Sequence, residues 1–295
     1  MTPDAYASGV VAGRTHRRPD MSMEQDGTAH GAGRAVLAFV TGGSGGIGKS
    51  GNARMLAAAL GGTGRHVVLV DGNAGQQSQR VWHRLGPERM LENAQWLDTL
   101  DRAILMPRRT GQAYALLPGP ADPLAAGMND LYGAAILRLC ETPGIDLVLV
   151  DADRIDPAQW EDRRTFAGHV IRPFMEAGLA RMLFRIGQTG SQLEDGMRAL
   201  GAVDDADMTC AVAVAAAGLA HPRTDRDWAR ILAPVARYAG TDRWDVSTLA
   251  LQTPGSRLTP PHTPWLCRQA AFLGLRLEPA AREQAKGWWP WRRTR

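Results

Sequence analysis

The sequence has little lysine, few cysteines and no long apolar run. Its 34 cationic residues include only two lysines, Lys49 and Lys286. The three cysteines, Cys140, Cys210 and Cys267, lie far apart without paired spacing, which excludes a disulfide framework and a cysteine-based zinc site. No stretch reaches the roughly 18 apolar residues that a membrane-spanning helix needs, so integral membrane proteins are excluded as a class. Because the N-terminus also lacks the pattern of an export signal, we expect a cytoplasmic protein.

The position of Lys49 is informative because arginine stands at nearly every other cationic position. Lys49 lies in the most glycine-dense segment of the chain. A lysine retained in such a sequence is one whose compact ammonium a guanidinium cannot imitate. We therefore expect Lys49 to have a specific electrostatic role.

Three regions of the chain differ in composition. Residues 1–33 contain few large apolar side chains and no periodic pattern, which predicts a disordered N-terminal arm. Residues 34–277 alternate strand patterns with helical patterns, which predicts an α/β domain whose mostly parallel sheet lies between two layers of helices. Residues 278–295 form a basic, tryptophan-rich C-terminal tail.

The patterns within the domain predict individual elements. Short apolar runs bounded by turn residues indicate strands, and apolar residues at helical spacing indicate helices. The predicted strands are 35–40, 66–70, 113–117, 145–150, 209–215 and 246–251. The predicted helices are 52–60, 77–85, 88–97, 124–140, 192–200, 225–238 and 264–275. The first strand, the glycine-rich turn, the first helix and the second strand form a βαβ unit, so the sheet should be parallel.

The glycine-rich turn satisfies two phosphate-binding patterns at once. Gly43, Gly45 and Gly48 spell the dinucleotide fingerprint G-x-G-x-x-G. The P-loop pattern G-x-x-x-x-G-K-S begins at the same Gly43 and ends in Lys49 and Ser50. Both patterns use backbone N–H groups and a helix N-terminus to bind anionic oxygen. The loop alone does not decide between the two patterns, so the residues that follow it must be compared with each pattern.

The dinucleotide pattern carries a resemblance to the short-chain dehydrogenases. Residues 40–48 resemble that family's opening T-G-x-x-x-G-x-G, and Asp71 follows the second predicted strand, where it could hold a ribose. That family needs a catalytic tyrosine four residues before a lysine. None of the four tyrosines stands at that offset from Lys49 or Lys286. A dehydrogenase-like NAD(P)-binding protein is therefore the weaker alternative.

The P-loop interpretation explains more of the sequence. In such a loop the lysine reaches the β- and γ-phosphates, and the following hydroxyl, here Ser50, binds Mg²⁺. The pattern also needs an acidic residue at the end of a neighbouring buried strand. Four apolar residues followed by Asp151 provide it. We therefore expect ATP and Mg²⁺ as cofactors, with Ser50 and Asp151 as the metal site.

Three segments resemble the ParA/MinD superfamily of P-loop ATPases, in order along residues 35–155. Residues 44–50 resemble its deviant Walker A loop K-G-G-x-G-K-[ST], residues 66–73 its second strand ending in D-x-D, and residues 145–151 its Walker B strand. The resemblance implies a three-layer α/β/α P-loop NTPase. The cofactor-binding residues that it implies are Gly43, Ser44, Gly45, Gly46, Ile47, Gly48, Lys49 and Ser50, and the catalytic residues are Lys49, Asp71 and Asn73.

Two positions depart from the family pattern. The lysine that in the family reaches across a dimer falls on Ser44, and the second acid of D-x-D falls on Asn73. Loss of a strong electrostatic contributor costs on the order of 3–4 kcal/mol in the transition state. We therefore expect tight Mg·ATP binding with slow hydrolysis, or a nucleotide-binding module that does not hydrolyse ATP. A small-molecule kinase on the same loop is a weaker option.

The resemblance and the tail also suggest partners. Residues 71–73, followed by the polar segment 76–80, look like plasmid-encoded ATPases of conjugal transfer and plasmid stability, which implies a nucleotide switch with a plasmid transfer or partition protein as partner. Members of the superfamily form ATP-dependent homodimers and bind DNA non-specifically. Trp288, Trp289 and Trp291 lie among arginines, which suits peripheral contact with anionic lipid at the inner membrane, or a protein partner.

Overall fold

A computed structural model describes residues 34–73, 75–86, 90–94, 100–215, 222–244, 254–255, 257–258, 260 and 262–277. Within these residues, seven strands form one sheet: β1 (Val36–Gly42), β2 (Val67–Gly72), β3 (Ala115–Leu117), β4 (Leu147–Arg154), β5 (Arg181–Gly187), β6 (Thr209–Ala215) and β7 (Arg237–Arg243). All neighbouring strands are parallel, as predicted. Three predicted regions lie outside the described residues and stay predictions: the arm 1–33, the strand 246–251 and the tail 278–295.

The order of the strands distinguishes this sheet from a dinucleotide-binding sheet. The order is β3-β2-β4-β1-β5-β6-β7, so β4 lies between β1 and β2. A doubly wound dinucleotide-binding sheet has the order 3-2-1-4-5-6, in which the first two strands are neighbours. The observed topology does not fit the dehydrogenase alternative.

Helices cover both faces of the sheet. They are α1 (Lys49–Gly62), α2 (Ser78–Trp82), α3 (Leu100–Ala103), α4 (Pro107–Thr110), α5 (Met128–Glu141), α6 (Pro157–Glu161), α7 (Arg172–Glu176), α8 (Gly190–Val203), α9 (Asp225–Leu232) and α10 (Pro264–Phe272). Apolar side chains that alternate along the strands pack into two separate clusters, one with α1 and α10 and the other with α5, α8 and α9. The predicted three-layer α/β/α fold is confirmed. Among the described residues, no helix is long and apolar enough to cross a membrane.

A buried pair of amides joins the two helices on one face. Asn52 Nδ2 in α1 donates to Gln269 Oε1 in α10 at 2.9 Å, and Gln269 Nε2 donates to Asn52 Oδ1 at 3.1 Å. Both side chains are fully buried. Each amide therefore gives the other the hydrogen-bond partner that it can no longer find in water once it is buried. The pair fixes α1, whose first turn carries the P-loop lysine, against the last described helix.

The sequence patterns do not predict β5 and β7. Arg185 interrupts the apolar run of β5, and β7 carries charged residues at both ends and a glycine in its middle. The helix predicted over 225–238 is wrong beyond Leu232, because its last residues belong to β7. Pro234 lies two residues beyond this helix end and has no backbone N–H with which to continue the helical hydrogen bonds.

Several helices begin or end at residues other than those predicted. Helix α5 begins at Met128 rather than at 124, after Gly127 with a φ of 77°. Of the helix predicted over 88–97, the described residues Leu91–Ala94 form a 3-10 turn instead. The helices predicted over 77–85 and 264–275 end earlier, at Trp82 and Phe272, whereas α1 begins three residues before the predicted 52, at Lys49.

Candidate nucleotide site

The glycine-rich loop of residues 43–48 connects β1 to α1 at the carboxyl edge of the sheet. Gly46 and Gly48 have φ angles of 68° and 75°, which residues with a Cβ rarely adopt. Gly43 is close to α8, since a Cβ at this position would lie 2.6 Å from the Cα of Gly196. The positive φ angle therefore requires glycine at positions 46 and 48, and the proximity of α8 requires it at position 43.

Lys49 is the first residue of α1, and its side chain turns back to the loop. Its Nζ donates to the Ser44 carbonyl oxygen at 2.9 Å, and the residue is 7% exposed. Burial lowers the pKa of Lys49, and the negative charges of Asp153 and Asp151 act in the opposite direction. A buried ammonium beside a helix N-terminus creates a positive potential in the loop, which suits an anionic ligand.

Two buried aspartates lie on adjacent strands at the same edge. Asp71 in β2 is the register partner of Asp151 in β4, and both are almost completely buried. Burial raises the pKa of Asp71 to about 7, and the charge of Asp151 acts in the same direction. Burial raises the pKa of Asp151 to about 6, against hydrogen bonds from Gln79 and Ser50. The positive charges of Arg54 and Lys49 also act against the rise at Asp151, but they do not outweigh the effect of burial.

Four buried polar atoms of the predicted site residues have no hydrogen-bond partner among the described residues. They are Ser44 Oγ, Asp71 Oδ1, Asn73 Oδ1 and Asp151 Oδ1. An unpaired buried polar group costs about 1–3 kcal/mol, so native proteins rarely leave several together. Three of the four atoms are acceptors that need a donor or a cation, and carboxylate and hydroxyl oxygens are ligands that Mg²⁺ prefers. The residues present fit a magnesium nucleotide.

Gln79 and Arg54 belong to the site, although the sequence patterns do not indicate a role for them there. Gln79 Nε2 donates to Asp151 Oδ2 at 2.7 Å, and its backbone N–H donates to Asp71 Oδ2 at 3.2 Å. Arg54 Nη1 donates to Gln79 Oε1 at 3.3 Å. Both side chains are buried. The one sequence signal for this pair is an arginine within the otherwise apolar stretch of α1.

A third group of residues contacts the loop from β5 and the end of β7. Arg185 Nε donates to the Ile47 carbonyl oxygen at 2.7 Å, and Arg185 Nη2 donates to Asp242 Oδ2 at 2.5 Å. Trp244 Nε1 donates to the same Asp242 oxygen at 3.1 Å. The Trp244 ring packs on Gly48, where a Cβ would lie 2.3 Å from Trp244 Cζ2. Sequence reasoning missed these residues because it missed both strands.

Solved structures of similar fold include MinD, McdA and plasmid partition proteins. MinD from Aquifex aeolicus has a TM-score of 0.57 at 16% identity, over 84% of this chain and all of MinD. A variant of McdA from Cyanothece, in complex with ATP, has a TM-score of 0.58 at 16% identity, over 83% of this chain and 98% of that one. A putative plasmid partition protein from Borrelia burgdorferi B31, bound to AMPPNP, has a TM-score of 0.55 at 12% identity, over 82% and 98%.

The chain has the ParA/MinD fold. No protein-family model and no curated protein gives a significant match to the sequence. The likeness is therefore carried by the three-dimensional structure.

Within the ParA/MinD fold, the predicted site residues come together at one edge of the sheet. The buried members are Gly43, Ser44, Ile47, Lys49, Asp71, Asn73 and Asp151. Gly48 and Ser50 are half-buried, and Gly45 and Gly46 are exposed. Asn73 Nδ2 donates to Ser78 Oγ at 3.4 Å, which leaves its amide oxygen unpaired beside the aspartates.

Proposed function

We propose that this chain binds Mg·ATP and acts as a slow ATPase of the ParA/MinD type, a nucleotide-dependent switch. The observation that carries the proposal is the buried Lys49 ammonium in the glycine-rich loop, near Asp151, which like its register partner Asp71 has an unpaired carboxylate oxygen. The fold supports it, since proteins of this fold have been solved with ATP and with AMPPNP.

Each residue has a defined role in this proposal. The backbone N–H groups of residues 43–48 and the N-terminus of α1 bind the phosphates, and Lys49 neutralises the charge of the β- and γ-phosphates. Ser50 and Asp151 hold Mg²⁺, directly or through water. When bound, Mg²⁺ neutralises charge on the phosphoryl oxygens. Asp71 and Asn73 form the edge of the site that detects the γ-phosphate.

The test of nucleotide binding is calorimetry with ATP, with and without Mg²⁺, on the wild type and on Lys49→Ala. Hydrogen bonds to charged groups contribute about 1.5–3 kcal/mol, so we expect the Kd of Lys49→Ala to rise roughly 10- to 100-fold. Lys286→Ala, which removes the other lysine of the chain, is the matched control and should bind as the wild type does. Equal affinity in wild type and Lys49→Ala refutes the proposal.

Slow hydrolysis follows from the two uncharged positions. The Ser44 hydroxyl brings no charge to the phosphates, and the Asn73 amide can orient water but cannot accept its proton. The same residues favour a second candidate, a nucleotide-binding module that does not hydrolyse ATP. Single-turnover measurements separate the two, and Asn73→Asp should increase the rate if the position faces the attacking water. A wild-type rate equal to that of vigorous ATPases contradicts both.

The biological role that we propose is in plasmid conjugal transfer or plasmid partition, in the cytoplasm. It includes an ATP-dependent homodimer, a transfer or partition protein as partner, and non-specific contact with DNA. The resemblance of residues 71–80 to such plasmid-encoded ATPases supports this role, as does the likeness to a plasmid partition protein. Sedimentation with and without ATP tests the homodimer, and an unchanged monomer at saturating ATP contradicts it.

Peripheral contact with the inner membrane is the role that we propose for Trp288, Trp289, Trp291 and the neighbouring arginines. Tryptophan and arginine together suit an interface that contains anionic lipid. The full chain should sediment with vesicles of anionic phospholipid, and a chain without residues 287–295 should not. Equal binding by the full and truncated chains contradicts this role.

A further inference from the structure

A buried arginine holds one carbonyl of the glycine-rich loop. Arg185 is fully buried in β5, and its Nε donates to the Ile47 carbonyl oxygen at 2.7 Å. In a loop whose N–H groups converge on an anion, the carbonyl groups point away from that anion. A carbonyl that becomes buried in this way needs a donor from the protein. Arg185 supplies it for Ile47.

The guanidinium is itself held in place by a buried partner. Arg185 Nη2 and Asp242 Oδ2 are 2.5 Å apart, with side-chain exposures of 0% and 6%. The Trp265 ring lies 5.7 Å from the guanidinium carbon, a distance typical of a cation–π contact. Removal of one member of a buried ion pair leaves an uncompensated charge, so Arg185 and Asp242 depend on each other.

The same ion pair is linked to the next residue of the loop. Asp242 accepts a hydrogen bond from Trp244, whose ring packs on Gly48. Arg185 in β5 therefore contacts Ile47, and Trp244, which directly follows β7, contacts Gly48. These contacts matter because glycine has the largest backbone freedom of all residues, and the loop contains several glycines.

We propose that Arg185, anchored by Asp242, is a positioning residue that fixes the conformation of the phosphate-binding loop through the Ile47 carbonyl. The ordering of the loop does not depend on the ligand, whereas its effect on ATP affinity rests on the proposed function. A guanidinium is needed because its planar, multiple donors bond Ile47 and Asp242 at once. Without the guanidinium, a smaller fraction of molecules has the loop in the binding conformation. The apparent affinity for ATP falls in proportion to this fraction.

The test measures hydrogen exchange of the segment of residues 43–55 in the nucleotide-free full chain, which includes the Asn52 N–H that donates to the Gly48 carbonyl oxygen of the loop at 2.9 Å. The main variant is Arg185→Met/Asp242→Asn, because neutral replacement of a whole buried ion pair is often tolerated. We expect about tenfold faster exchange in the loop and about tenfold weaker binding of ATP and of pyrophosphate, the effect of one lost hydrogen bond to a charged group.

The matched control is Arg181→Met. Arg181 lies in the same strand and also donates to a backbone carbonyl, that of Phe272 in α10, away from the loop. This control should leave loop exchange and ATP affinity unchanged. A loss of loop protection in the control as large as in the double variant would overturn the inference, because the effect would then be one of general stability.

A second variant, Arg185→Lys, keeps the charge in case the double variant does not fold. A lysine has one point of attachment and cannot bond both Ile47 and Asp242 in the geometry of the guanidinium. We expect faster loop exchange here too. In either variant, a folded protein whose loop exchanges at the wild-type rate overturns the inference. Faster loop exchange in the variants of a chain whose wild type does not bind ATP upholds the inference and refutes the proposed function instead.

Discussion

Replacement of Gly48 by alanine should destabilise the fold more than the same replacement at Gly46. The two glycines have similar positive φ angles, 75° and 68°. A Cβ at Gly46 would meet no heavy atom within 4 Å, whereas a Cβ at Gly48 would lie 2.3 Å from Trp244 Cζ2. The steric difference between the two positions is therefore the Trp244 ring.

The magnitudes follow from this difference. A residue with a Cβ pays about 1–2 kcal/mol for the left-handed conformation, which applies to both variants. Overpacking adds about 1–3 kcal/mol at Gly48 alone. The Trp244 ring cannot move aside without loss of its 3.1 Å hydrogen bond to Asp242. We expect the free energy of unfolding to fall by about 1–2 kcal/mol in Gly46→Ala and by about 2–5 kcal/mol in Gly48→Ala.

Urea unfolding of a double-mutant cycle measures the contribution of the ring. The four proteins are the wild type, Gly48→Ala, Trp244→Ala and the double variant. In the Trp244→Ala background, Gly48→Ala should cost only what Gly46→Ala costs, so the coupling energy is about 1–3 kcal/mol. Equal destabilisation by Gly46→Ala and Gly48→Ala, or additive effects in the cycle, would refute the reasoning that Trp244 restrains the loop.

Two further predictions concern a pH dependence and a helix cap. Asp71 has a pKa of about 7 in the fold and one near 4 in the unfolded chain, so the folded state binds the extra proton and stability falls as the pH rises from about 4 to about 7. In Asp71→Asn, the decrease of the unfolding free energy between these pH values should be smaller by about 2–4 kcal/mol. Chemical unfolding at several pH values measures it, and the same pH dependence in the variant and the wild type contradicts the pKa shift. Thr224 caps α9 and accepts a hydrogen bond from the Asp227 N–H, whereas Thr189 is the N-cap residue of α8 but its side chain makes no capping hydrogen bond. Thr224→Ala should therefore cost about 1 kcal/mol in thermal unfolding and Thr189→Ala almost nothing, and equal losses contradict the capping role.

The sequence was sufficient to predict the loop and the two acidic strands because their signals are local. Glycine spacing requires the tight turn, and an uninterrupted apolar run that ends in an acid indicates a buried strand with a polar group at its edge. Lys49, Asp71 and Asp151 were identified by such signals, and the structure brings them to one edge of the sheet. Their meeting follows from the parallel topology, in which all the carboxyl ends share one edge.

The contacts that restrain the loop were beyond prediction because they depend on residues far apart in the chain. An arginine within a short apolar run indicates the end of a strand, unless a buried partner compensates its charge. The partner of Arg185 is Asp242, 57 residues further along the chain. Neither β5 nor β7 has the uninterrupted apolar pattern of β1, β2 and β4, since each contains one residue of this ion pair. Pairing across such a distance leaves no periodicity to detect.

The reciprocal amide pair between Asn52 and Gln269 has a consequence for synthesis on the ribosome. The two residues are 217 positions apart, so α1 emerges long before its partner helix has been translated. Until then the Asn52 amide must remain hydrated or unpaired, which opposes early packing of α1 on the nascent sheet. The nucleotide loop should therefore adopt its final conformation late, after α10 has left the ribosome. Nascent chains that end before α10 should be sensitive to proteases at residues 49–62.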